Sequence, residues 1–288
     1  MSTQVVIGDG QNITLNLNGK SLTAKSNWNF NSGLLAVHHG GTLTINGEGE
    51  IFGVSPGGCV YCGIVLTVDK TDSDNSKPAR LIVNGGHIVG QCYGISGNGS
   101  NAGRGNTECI INGGLIEASS IITGEDNCGY YQPQFNSKMT FNDGVIRGRS
   151  AIEIRSGDFT MNGGIAEAYG FANECMEKND SGPTSKGAAV AIAQHTTKQP
   201  INVIINNGQL IAECPFIEGN PMGNDELSIA SVKAEINGGS FRSVGIGGRP
   251  FQAADLTEFV KGGEFLHNFT DKKYLDPTKF DVDNWVSI

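Results

Sequence analysis

The chain has 288 residues, enough for one or two domains, and a formal net charge of −9 with no basic run to offset it. That balance argues against a nucleic-acid backbone or an anionic membrane surface as partner, and no apolar stretch is long enough to span a bilayer. The start, MSTQVVIGDGQNITLNLNG, lacks the basic and continuous apolar regions of a signal peptide, so the expected site of synthesis is a cytoplasm without export.

In chain order, an apolar–x–apolar stretch runs repeatedly into an Asn-centred turn. The copies are LNLNG, LTING, LIVNGG, CIINGG, MTFNDG, FTMNGG, VIINNG and AEINGG. Their marker residues are Asn18, Asn46, Asn84, Asn112, Asn142, Asn162, Asn206 and Asn237, and a weaker copy, FVKGGEF, surrounds Lys261. A self-similar period on this scale indicates a repeat architecture. Three residues before the marker stand Leu15, Leu43, Leu81, Cys109, Met139, Phe159, Val203 and Ala234; one before it stand Leu17, Ile45, Val83, Ile111, Phe141, Met161, Ile205 and Ile236. The residue between is often polar. This alternation predicts a strand with one buried face. Four residues after the marker a second apolar column begins, followed at six and eight by small residues, and the Asn46 copy fits after one insertion, with Ile51 in the apolar column. A third apolar stretch follows in LLAV at 34–37, GIVLTV at 63–68, SIIT at 120–123, AIEI at 151–154 and AAVAIA at 188–193.

Three short strands per repeat predict an all-β, single-stranded right-handed parallel β-helix. About nine rungs spaced at about 4.8 Å give a rod of roughly 43 Å. The Asn column is expected to form a hydrogen-bonded amide ladder, with Asn and Gly supplying left-handed corners. Repeat spacings range from 20 residues (Asn142 to Asn162) to 44 (Asn162 to Asn206). The excess predicts side loops near 27–33, 54–62, 69–79, 97–107, 124–137, 173–187, 194–200 and 218–232, where a partner surface would lie. Residues 1–265 read as one domain with TQVVIGDG capping its start, and 266–288, which breaks the repeat, as a C-terminal cap or docking tail.

Few residues suggest chemistry. Cys59 and Cys62 have metal or redox spacing but no second pair and no βαβ setting; with no export signal the seven cysteines are expected mostly as reduced, buried thiols. Glu117, Arg147 and Glu167 share one outward column, and their alternating sign reads as a cross-strand charge ladder rather than a glycosidase carboxylate pair. Glu153, Arg155, Arg149 and Asp158 lie nearby and could join a sugar-binding face. In the 124–137 loop, Glu125, Asp126, Tyr130 and Tyr131 combine acid and aromatic groups suited to binding a sugar, and they are the candidate binding residues. His38 and His39 are adjacent in a strand and point to opposite faces. His87 falls on a surface strand position, and His195 lacks a nucleophile partner. Catalytic residues, metal and cofactor are each expected to be absent, and Gly-rich stretches lack the P-loop lysine.

The stacked LTIN-GG units resemble those of right-handed parallel β-helix proteins of the pectate-lyase-like class, over nearly the whole chain. Within that class the chain looks most like phage head-fibre, capsid-decoration and tail-spike proteins, and the ending GGEF…YLDPTKF is similar to endings in repetitive surface proteins of gut bacteria and their phages, departing from them in detail. The NTD, DD, GHG and RIK motifs of polygalacturonase-type enzymes are missing. The resemblance implies a non-enzymatic virion surface protein, made in the host cytoplasm, binding other virion proteins and host or mucosal glycans. A homo-oligomer, with a trimer favoured, is implied too. A tail-spike depolymerase (a polysaccharide lyase or glycoside hydrolase) and a bacterial adhesin fragment remain the alternatives.

Overall fold

The structure is a computed structural model; it describes residues 1–25, 33–53, 62–66, 76–99, 104–119, 127–169, 175–179, 182–244, 251–266, 271–281 and 286–287. The chain is nearly all β, and its two large sheets are parallel, with one short antiparallel pair, Phe280–Asp281 and Val286–Ser287, near the C-terminus. One sheet has nine strands that follow chain order: Val5–Ile7, Gly33–Val37, Cys62–Leu66, Tyr93–Ser96, Cys128–Gln132, Ser150–Ile154, Ala188–Ala193, Cys214–Gly219 and Gln252–Ala253. A second, curled sheet has fifteen strands. It holds two rows, one before and one after the Asn-Gly corner. The rows are one sheet because Ala79–Gly90 and Thr107–Ala118 run through their corners as single twelve-residue strands.

The pairing places equal positions of successive copies side by side. Cys109 stands opposite Leu81 and Met139, and Ile111 opposite Val83 and Phe141. Beyond the corner, Ile116 stands opposite Ile88 and Ile146. These columns point inward and merge into one continuous apolar core with Ile64, Ile95, Ile152 and Ile192 of the nine-stranded sheet. The nine-stranded sheet is also covered outside: Ala36, Cys62 and Val65 form one outer apolar cluster, and Cys175, Ala188, Ala191, Cys214 and Ile217 another. Strands buried on both faces carry apolar runs rather than alternation. The described cysteines are buried.

At the corners each amide donates to the one before it. Asn46 Nδ2 donates to Asn16 Oδ1 at 3.1 Å, and the series continues Asn84 to Asn46, Asn112 to Asn84, Asn142 to Asn112, Asn162 to Asn142, Asn206 to Asn162 and Asn237 to Asn206, at 2.8–2.9 Å. Two details differ from the sequence expectation. The first copy is read two residues late: Asn16, not Asn18, stands opposite Asn46, with Ile13 and Leu15 opposite Leu43 and Ile45. Leu17 is instead buried in a longer corner, its side chain against Gly49 and Gly86. The left-handed residue is in most copies the glycine two after the asparagine, such as Gly86, Gly114, Gly144 and Gly164, rather than the asparagine; Asn18, at φ 51°, is the exception among the markers. A Cβ on Gly114 would lie 2.6 Å from Gly86 O, so close stacking as well as φ requires glycine there. The amide ladder itself lies on the exposed corner, not in the core.

Other expectations shift as well. Residues 5–7 form a strand of the nine-stranded sheet. Val5, Val6 and Ile13 are exposed on this first layer, which has a neighbour on one side only. SIIT at 120–123 lies outside the described residues, and the strand that follows Thr107–Ala118 in the nine-stranded sheet is Cys128–Gln132. Aromatic side chains pack together toward the C-terminal end. Phe241 stacks on Phe265 at 4.9 Å, Phe251 and Phe259 lie against Phe216, and Tyr274 reaches Phe259 at 5.5 Å. The Tyr274 hydroxyl donates to Ala253 O, and Leu275 is buried beside Val260.

The ladder makes the register testable. Asn46→Ala removes two exposed amide bonds and is expected to cost about 1–3 kcal/mol at roughly 0.5–1.5 kcal/mol each. Asn18→Gly keeps the left-handed backbone and is expected to cost under about 0.5 kcal/mol. Urea unfolding of the two variants checks the order.

Candidate functional site

Three clusters of polar groups lie on this framework. The first grows from the outward columns beyond the corner. Glu50 stands opposite His87 on neighbouring strands, and Glu117 opposite Arg147. His87 Nε2 meets Glu117 Oε2 at 2.9 Å and its Nδ1 meets Glu50 Oε1 at 3.3 Å, while Arg147 Nε lies 3.2 Å from Glu117 Oε1. The hydrogen bond to Glu117 raises the His87 pKa above its usual value against the opposing effect of burial, and the same bond, with Arg147, lowers that of Glu117. The sequence columns group Glu117 with Arg147 and Glu167; the structure adds His87 and Glu50, and among the described residues no ion pair joins Arg147 to Glu167.

The second cluster lies outside the nine-stranded sheet and is sealed. Glu153 and Arg155 are fully buried under residues 175–179 and 182–187. Both Glu153 oxygens accept from Thr184 N at 2.9 Å; Ser185 N, Thr184 Oγ1 and Ser185 Oγ complete the shell. Arg155 Nη1 donates to Gly182 O at 2.7 Å and to Tyr131 Oη at 3.1 Å, and its Nε lies 3.9 Å from Glu153. Burial pushes the Tyr131 phenol up to about 12, so it stays protonated. Glu153 and Arg155 therefore clamp a loop and cannot face a sugar. The same holds for Tyr130 and Tyr131. Both are buried in the Cys128–Gln132 strand, with Tyr130 in the core opposite Ile95 and Ile152 and Tyr131 stacked on Tyr93 at 5.2 Å. They are not loop aromatics offered to a ligand. Glu125 and Asp126 lie outside the described residues, as does Cys59.

The third cluster lines an open groove of about 800 Å³, which the sequence columns do not mark. It forms at the corner leading into the first row of the curled sheet. Ser150–Ile154 reaches Gly157–Met161 through only Arg155 and Ser156, whereas the copies on either side cross the same corner with residues 133–137 and 194–200. The short crossing leaves a notch between two longer ones. From beneath, the buried Gln132 Nε2 donates to Ser156 O at 2.9 Å and Asp158 O at 3.1 Å, holding the notch backbone. Along the wall Lys138, Asp158, Asn202 and Lys233 stand in register on four successive strands. Of the residues read from sequence as a sugar-binding face, Asp158 alone reaches this groove.

Among the described residues no three His, Cys, Asp or Glu side chains gather as a metal-ligand set, and no helix is long and apolar enough to cross a membrane. Searches of family models, curated proteins and solved structures for relatives of this chain found no match.

Two measurements test these assignments. Protonated His87 binds its carboxylates best in the folded state. Its stabilisation is thus complete below the unfolded value near 6.5 and is lost as pH rises through the higher folded value. The Glu117 contribution is lost as pH falls through its folded value, below the ordinary 4.5. Thermal melts should show a Tm decrease above about pH 6.5 that His87→Gln flattens. Arg155→Met leaves Glu153 buried without its cation and should cost about 3–5 kcal/mol, with faster proteolysis at Lys186, beside the Thr184 and Ser185 contacts to Glu153.

Proposed function

We propose that the chain is a right-handed parallel β-helix of about nine rungs that serves as a non-enzymatic surface protein of a phage particle: a capsid decoration, head fibre or spike that attaches to host or mucosal glycans. The β-helix reading is supported by the in-register parallel rows and the amide ladder, and the phage reading by the resemblance of the LTIN-GG units and the GGEF…YLDPTKF ending. The observation that carries attachment without cleavage is the make-up of the groove. Its described lining is rich in amides, hydroxyls and ammonium groups and holds one carboxylate, Asp158. A glycosidase needs two carboxylates set across the scissile bond. The aromatic packing around Phe241 and Phe265 and the exposed Val5, Val6 and Ile13 on the first layer differ in chemistry, which supports docking through one of the two. Assembly as a homotrimer with its neighbours on the particle belongs to the same proposal.

The depolymerase reading predicts a different result. Incubation with capsular polysaccharides is expected to release neither reducing ends nor unsaturated uronates, whereas a polyclonal serum against the protein should decorate phage particles in electron micrographs. Release of sugar fragments, or unlabelled particles, would contradict the proposal.

A further inference from the structure

The groove gives the attachment reading a specific ligand chemistry. On the wall column, Lys138, Asp158, Asn202 and Lys233 have no side-chain hydrogen bond or ion pair among the described residues, although they sit on adjacent strands. Several exposed cations elsewhere are paired with a carboxylate, as Arg80 with Glu108, Lys198 with Asp225 and Lys261 with Glu235, while others, such as Lys20 and Arg242, stand singly rather than in a shared column. Behind the column Ser156 is fully buried, and its Oγ has no partner. The chain carries −9 overall, yet this lining sums to +1, from two lysines against one aspartate. A stretch of local positive charge on an acidic protein, with its ammonium groups uncommitted, favours an anionic ligand.

Spacing narrows the class. The four side chains repeat at the strand separation of about 4.8 Å, so the two ammonium groups are about 14 Å apart. A matching ligand is linear, repeats on that scale, carries acceptors and donors between its charges, and is anionic at separated units. A nucleic acid, with a phosphate at every unit, would meet too few cations here. We propose that the groove binds a linear acidic oligosaccharide, Lys138 and Lys233 each taking a carboxylate on separate sugars while Asp158 and Asn202 bond hydroxyls between them. This assignment rests on the glycan-attachment reading and specifies its site.

The test is calorimetric titration of the full chain with polyuronate fragments, with maltooligosaccharides as the neutral control. Polyuronate binding is expected. Lys138→Gln and Lys233→Gln should each weaken it about tenfold, the loss of one charge-assisted bond, with melting curves unchanged. Raising salt from about 0.1 M to 1 M should weaken it further, as the screening length falls from about 10 to 3 Å. Absence of polyuronate binding by the folded chain would overturn the proposal, as would binding that both lysine variants leave unmoved. Equal binding of the neutral oligomer, lost on mutating Asp158 and Asn202, would overturn the acidic class while leaving glycan attachment standing. Unlabelled phage particles would instead sink the virion reading, whatever the titration shows.

Discussion

Parallel in-register pairing sets the rule for the whole molecule. Each side chain has its counterpart from the next copy about 4.8 Å away, so a column can hold only groups that tolerate their own kind or alternate in sign. Apolar columns satisfy this by packing, and they become the core. Asparagine satisfies it because an amide carries both a donor and an acceptor and can bond a copy of itself. Charged columns satisfy it by alternation, as in Arg80 beside Glu108 and Glu117 beside Arg147. The column from Lys138 to Lys233 mixes ions with an amide and makes no side-chain bond between its members, which is the feature the proposed acidic oligosaccharide would use.

Insertions between the copies do not disturb this rule, because they leave the sheets at the corners. They act on the outer surface instead. Residues 182–187 lie over the nine-stranded sheet and bring the Thr184 and Ser185 backbone amides onto Glu153, burying a carboxyl group that would otherwise face water. Where the crossing shrinks to Arg155 and Ser156, the surface sinks and the groove opens. Loop length, more than residue chemistry, thus decides which outward groups are sealed and which reach solvent.

Much of the fold could be read from the apolar alternation before each Asn, since that alternation is a direct result of one-sided burial. The Cys128–Gln132 strand could not. Its CGYYQ sequence has no aliphatic run, and its inward positions are filled by a tyrosine and a glutamine that bond one another. That is why Tyr130 and Tyr131 read as loop residues. The Asn16/Asn18 ambiguity has a similar cause: LNLNG offers two asparagines with the same parity, and only the partner strand selects between them. His87 could be placed on the outer face, but not its bridge between Glu50 and Glu117, because Glu117 stands five residues after its marker and His87 three, so the two fall in different columns and meet only through side-chain reach. The groove was invisible for another reason: it arises from unequal crossings between neighbours, a property of no single copy.

The amide ladder also has a direction. Every Nδ2 donates toward the N-terminal side, so the series ends in an amide donor at Asn16 and begins from an acceptor at Asn237. Eight side-chain dipoles are therefore aligned along one edge, like carriages coupled in a single sense. A duplicated copy could be inserted anywhere in that train without reversing a coupling, which makes length an easy dimension for such a chain to vary and polarity a hard one to lose.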